Sequence, residues 1–218
     1  MSKPLLPQAF WFRLQISAPR VDHMPLAGPR GRLLDLPEAC AVPEFVRLEG
    51  KEAWASVRVG WNPQGLGIAV MARGLPTFGE RPEGFAEVSF WIDTRDTRTV
   101  SRATRFCHRF VTRLELASDR KALKASCIQK PISRSVGDAP LCPEELLQAR
   151  AQLARWGWTL ETFLPARGLN GYDPETNRRL GFAYRVTDYE REDQYLGVGR
   201  EFPLGENPSL WSTLELLP

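Results

Sequence analysis

Apolar and polar residues alternate with a period of two along much of this chain, the pattern of a strand with one face in a core. The sharpest instance is 87–93, where Val88, Phe90 and Ile92 alternate with Ser89, Trp91 and Asp93 before Thr94-Arg95-Asp96 breaks the run. It predicts a central strand that delivers Trp91, Asp93, Arg95 and Asp96 to one end of a sheet. Residues 9–17 alternate Phe10, Phe12, Leu14 and Ile16 against Trp11, Arg13 and Gln15. Residues 55–61 and 66–70 alternate on either side of Asn62-Pro63-Gln64-Gly65, a hairpin signal. Further strands are predicted at 125–128, 157–164, 180–188 and 209–217.

Two segments need a choice. Over 95–114 both the apolar residues Val100, Ala103, Phe106, Phe110 and Leu114 and the arginines 95, 98, 102, 105, 109 and 113 fall at helical spacing. Thr, Val, Phe, Cys and His are mediocre helix formers, however, so a loop to about Thr104 and then a strand is expected. Pro143-Glu144-Glu145 offers proline and acids where a helix would begin. Leu146, Ala149, Leu153 and Ala154 supply one stripe and Gly157 a stop, predicting a short helix over 143–156. About nine short strands with that one helix make an all-β, jelly-roll-like sandwich.

The prolines at 19, 25, 29, 37 and 43 forbid long regular structure, yet Leu33, Leu34 and Leu36 among them are too apolar for a free linker. That segment should wrap the core, so residues 1–218 are expected to be one domain: a strand and a proline-rich wrap over 1–50, and the main sandwich over 53–217. At 218 residues and 43% hydrophobic the chain is large enough for a real core. Its 29 basic and 26 acidic residues leave a net charge of +3, too weak a field to suggest nucleic acid or an anionic membrane as partner. Prolines and charges interrupt the apolar residues of 1–18, so neither a signal-peptide core nor a spanning segment is read there, and a cytoplasmic chain is expected. Cys40, Cys107, Cys127 and Cys142 lie far apart without a C-x-x-C and are expected to be buried or half-buried free thiols.

Few residues point to chemistry. Cys107 and His108 are neighbours on a predicted strand, so their side chains face opposite ways and do not form a nucleophile and base. The chain has two histidines, and no H-E-x-x-H, G-x-S-x-G, P-loop or G-x-G-x-x-G stands in it. Asp93 and Asp188 could be a carboxylate pair for glycoside chemistry. The group Asp93, Arg95 and Asp96 is either a salt-bridged turn or a ligand site, and Trp61 and Trp91 are either packing residues or stacking platforms. The arginine row could fork onto anions or form a solvated, paired face.

The order of several segments resembles the family 9 carbohydrate-binding modules and their DOMON-like relatives. These are Trp61-Asn62-Pro63-Gln64-Gly65-Leu66-Gly67-Ile68, Phe90-Trp91-Ile92-Asp93-Thr94-Arg95-Asp96, Leu160-Glu161-Thr162-Phe163-Leu164-Pro165, Leu180 to Asp188, and Asn207-Pro208-Ser209-Leu210-Trp211. The resemblance runs from about residue 53 to 217. It implies a β-sandwich, a sugar gripped at one end by aromatic and polar side chains, and a possible bound calcium. By this resemblance Arg95 and Asp96 match the family's basic and polar residues after the central strand, Trp61 its aromatic before the hairpin turn, and Thr187 and Asp188 its polar pair at the end of the later strand. No tryptophan follows Asp188, and Tyr189 or Tyr195 would stand in its place.

The leading expectation is therefore a non-catalytic binding domain for a saccharide or another polar small ligand, contacted by Trp61, Trp91, Arg95, Asp96, Asp188 and Tyr189. An intracellular interaction domain that has lost the sugar site is one alternative, and a hydrolase using rim carboxylates is another. Exposed aromatics near Arg95 would favour the first, a flat apolar patch the second, and two facing carboxylates the third.

Overall fold

The computed structural model describes residues 6, 8–12, 14–27, 31–74, 86–116, 123–188 and 191–218. Among these, eleven strands form: β1 (Gln15–Ala18), β2 (Ala55–Asn62), β3 (Gly65–Arg73), β4 (Ala86–Asp93), β5 (Cys107–Leu116), β6 (Leu123–Lys130), β7 (Gln148–Ala154), β8 (Gly157–Pro165), β9 (Arg179–Asp188), β10 (Arg191–Tyr195) and β11 (Ser212–Leu216). One sheet has the order β1-β11-β9-β4-β5-β6, with β10 also paired to β9, and the other has the order β2-β3-β8-β7. Every pairing is antiparallel except β1 with β11.

Alternation sets the layers. Val88, Phe90 and Ile92 of β4 and Phe182, Tyr184 and Val186 of β9 face Val57, Val59 and Trp61 of β2 and Ile68 and Val70 of β3 in one buried cluster. Each large side chain removed from water there contributes about 1.5 to 3 kcal/mol before entropy is subtracted. Two polar links cross this core. Thr162 Oγ1 donates to Thr112 Oγ1 at 3.0 Å, and the Gln194 amide accepts from Trp54 N and Ala55 N and donates to Ala55 O at 2.7 Å.

The proline-rich segment covers the outer face of the smaller sheet. Met24, Leu33, Leu34, Leu36 and Cys40 pack there against Ala69 and Phe163. Two buried side chains fasten it. Glu161 accepts the amides of Leu33 at 2.5 Å and Leu34 at 3.3 Å, and Asn62 donates to the carbonyls of Val21 at 3.1 Å and Met24 at 2.7 Å. Asn62 Oδ1 also accepts from Gln64 N and Gly65 N, so the same residue builds the β2–β3 turn.

Two expectations change. Residues 143–156 form no helix: Glu144–Leu146 is a single 3-10 turn, and β7 follows it as an edge strand on β8. Ala149, Ala151 and Leu153 are good helix formers, but the open edge of β8 offers a full ladder of backbone partners, and that tertiary pairing overrides local preference. Gly157 ends the segment as the start of β8, not as a helix stop. Of the strand expected over 9–17, only Gln15–Ala18 forms, and Gln8–Trp11 is one helical turn, α1. The segment 74–84, which its glycine and proline content marks as a loop, lies almost wholly outside the described residues.

Candidate functional site

β4 ends at Asp93, and this residue shapes the turn that leaves the strand. Its buried carboxylate accepts the amides of Arg95 at 3.0 Å and Thr97 at 2.6 Å, while Asp96 N donates to Asp93 O at 3.3 Å. Burial pushes the Asp93 carboxyl above the ordinary carboxylate range, and the two amide hydrogen bonds pull the other way. Asp96 takes a positive φ of 49° at the corner of the turn, a conformation that aspartate tolerates better than most residues. The result is a rigid 93–97 turn that throws Arg95, Asp96 and Arg98 outward.

There they line an open cleft of about 610 Å³ with Thr97, Thr99, Gln15 of β1, Arg179 of β9 and Thr213 of β11. Asp96 is already engaged on both oxygens: Arg98 Nε donates to Oδ1 at 3.3 Å and Thr213 Oγ1 to Oδ2 at 2.8 Å. The Arg95 guanidinium lies 4.8 Å over the Phe106 ring, a contact that uses none of its N–H donors. A second hollow, of about 390 Å³, adjoins the cleft. Phe10, Trp11, Phe12, Leu14 and Leu210 line it, and Arg98 borders both spaces. Trp11 and Phe12 are 69% and 59% exposed.

The structure brings Arg95 and Asp96 together and separates the other expected site residues from them. Trp61 is 2% exposed in the core, its indole donating to Leu217 O at 2.8 Å. Trp91 is 3% exposed on the outer face of the larger sheet, between the Arg109 guanidinium and the chain at Gly205. Neither indole offers a free face for stacking. Asp188 pairs in register with Ala86, whereas Asp93 pairs with Gly181. The two rungs are seven residues apart along β4, about 24 Å at the usual rise. Asp188 therefore sits at the opposite end of the sheet, 3.9 Å from the Arg191 guanidinium. Asp93 and Asp188 cannot act as a carboxylate pair, which needs a separation below about 10 Å. Tyr189 lies outside the described residues.

The arginine row disperses because its residues belong to a turn, a loop and a strand. Arg102 donates to Arg134 O, Arg105 stacks on Phe106, and Arg113 and Arg185 flank Glu87 at 3.1 and 3.5 Å on the outer face of β4, β5 and β9. Cys107 and His108 do face opposite ways. Cys107 joins the outer cluster around Trp91, and His108 stacks beside Phe110. Burial pushes the Cys107 thiol up to about 11 and the His108 imidazole down to about 4, so His108 is neutral at ordinary pH. Gln129 Nε2 donates to His108 Nδ1 at 3.2 Å, which leaves the proton on Nε2, 3.5 Å from Asn170 O. Among the described residues no group of three or more His, Cys, Asp or Glu side chains is placed to hold a metal ion.

Gln15, Arg179 and Thr213 of the cleft and Trp11 of the adjoining hollow could not be found as site residues from the sequence. One signal was present: Trp11 occupies a polar phase of the alternation over 9–17, where an indole has no core to enter.

This two-sheet arrangement defines a class by architecture, the β-sandwich with its candidate cleft at the end of a central strand. Within that class the chain is similar to a family 9 carbohydrate-binding module from Caldicellulosiruptor kristjanssonii. The structure of that module in complex with cellotriose aligns with a TM-score of 0.57 at 11% identity, over 93% of each chain. Its complex with glucose aligns with a TM-score of 0.57 at 13% identity, over 94% of this chain and 96% of that one. The likeness is one of fold. No protein-family profile matches the chain, and no curated protein matches it in sequence.

Proposed function

We propose that this chain is a non-catalytic saccharide-binding domain whose ligand lies in the cleft after β4, and that it is a distant relative of the family 9 and DOMON-like modules. The observation that carries this reading is the junction at Arg98 of a cleft rich in hydrogen-bonding side chains with a hollow of exposed aromatic rings. A sugar presents both kinds of surface, hydroxyls at its rim and apolar C–H groups on its ring faces. Arg95, Gln15, Thr97 and Thr99 would hold hydroxyls, and Trp11 or Phe12 would supply the platform that Trp61 and Trp91 do not. The fold shared with modules solved with cellotriose and glucose supports the reading.

Calorimetric titration with neutral mono- and oligosaccharides, with and without calcium, tests it. Binding is expected, with Trp11→Ala and Arg95→Ala each weakening it while leaving the melting temperature unchanged. The loss at Arg95 should be about 1.5 to 3 kcal/mol, the scale of a hydrogen bond to a charged group. If no saccharide binds, the exposed Phe10, Trp11 and Phe12 belong to a surface for another protein and the interaction-domain alternative replaces this one.

A further inference from the structure

Charge in the cleft is one-sided. Three guanidinium groups, those of Arg95, Arg98 and Arg179, line it against the single carboxylate of Asp96. Both oxygens of that carboxylate are taken, one by Arg98 and one by Thr213. Arg98 is thus balanced, while Arg95 and Arg179 lie within 4.0 Å of no described carboxylate. Two neighbouring acids keep their negative charge but do not line the cleft. Asp173, near Arg95, is bound by Thr176, and Glu215, across the strands from Arg179, accepts from Gln15 Nε2 at 2.7 Å. A neutral sugar would leave the N–H donors of Arg95 and Arg179 without a charged acceptor of their own among the residues lining the cleft. A carboxylate would accept charge-assisted, forked hydrogen bonds from them.

Resting on the saccharide reading above, we infer that the ligand is an acidic saccharide, a uronic acid or an oligomer of one, with its carboxylate between Arg95 and Arg179. The hydroxyls of Thr97, Thr99 and Thr213 serve its neutral rim, and the aromatic hollow takes a neighbouring ring. The same chemistry would accept a sulfate ester, so the two anions are separate arms of the test.

The full chain is titrated at low salt with trigalacturonate, with its fully methyl-esterified form, with a sulfated trisaccharide and with inorganic sulfate. The acid is expected to bind at least tenfold more tightly than the ester. That margin should close in 0.5 M sodium chloride, because the ion pairs are partly exposed and screened, and it should vanish in Arg179→Gln and in Arg95→Gln. Arg113→Gln, on the outer face of the sheet beside Glu87, should leave it intact. Melting temperatures establish that each variant folds, and if one does not, the other carries the test together with the salt dependence. Equal binding of acid and ester overturns the acidic assignment and leaves the saccharide reading standing. Binding of no sugar, acidic or neutral, overturns both. Preference for the sulfated trisaccharide replaces the uronate with a sulfate ester, and inorganic sulfate binding as tightly as either sugar reduces the site to an anion hole.

Discussion

At the scale of single residues, the most consequential groups are those that lost their freedom to water. His108 is an example with a measurable signature. Because burial depresses its pKa in the folded chain, the folded state keeps the imidazole neutral while the unfolded state takes up a proton below about 6.5. Stability contributed by His108 is therefore complete above pH 6.5 and is lost as the pH falls toward 4, by roughly 3 kcal/mol over that window. Urea titrations across pH 4 to 7 should show this decline, and His108→Gln should flatten it. Glu161 is a second case. Its carboxylate serves the amides of Leu33 and Leu34, so Glu161→Ala leaves both without an acceptor and should cost about 2 to 4 kcal/mol. Glu161→Gln, which keeps one oxygen, should cost less, and equal losses in the two variants would show that the amides find other partners. The candidate site was only half legible at this scale. Arg95 and Asp96 could be found because they follow the break in a strong alternation. Trp61 and Trp91 could not be judged from sequence, since an aromatic residue on a strand looks the same whether a second layer covers it or not.

At the scale of elements, strands with an apolar face on the core were readable, and segments that depend on a neighbour's edge were not. β2, β3, β4, β8 and β9 carry their own period of two. β7 does alternate, Gln148, Arg150 and Gln152 against Ala149, Ala151 and Leu153, but alanine is a weak apolar signal, the edge strand buries little of either face, and its residues favour the helix they do not form. The same logic explains 9–17, where alternation ran on into α1 past the point at which β11 stops offering partners. A direct check is Gly157→Ala. Gly157 pairs with Ala154 across the tight β7–β8 turn at φ +155°, and a Cβ there would stand 1.9 Å from Ala72 O. The substitution should destabilise by more than about 2 kcal/mol, read from the thermal midpoint. A neutral result would mean that the close approach of Gly157 to Ala72 of β3 relaxes at little cost.

On the scale of the whole molecule, the wrap at 19–43 and the strand β1 are tied to the sandwich by Glu161, Asn62 and β11. The chain is proposed to melt as one cooperative unit, with calorimetric and van't Hoff enthalpies in agreement. The midpoint should be the same with or without reductant. All four cysteines are free and buried, and burial lifts the thiols of Cys107 and Cys127 to about 11 and 12, far from the reactive thiolate. Two separate transitions, or a large drop on reduction, would contradict this picture. The order of the larger sheet also has a temporal meaning. Among the described residues β1 pairs only with β11, with Gln15 beside Thr213. Both residues line the cleft, so during synthesis the cleft does not exist until Thr213 has emerged, about two hundred residues after Gln15. Ligand capture then becomes a report of completed folding. A chain ending before Ser212 is expected to retain strand by circular dichroism and to bind nothing in the cleft.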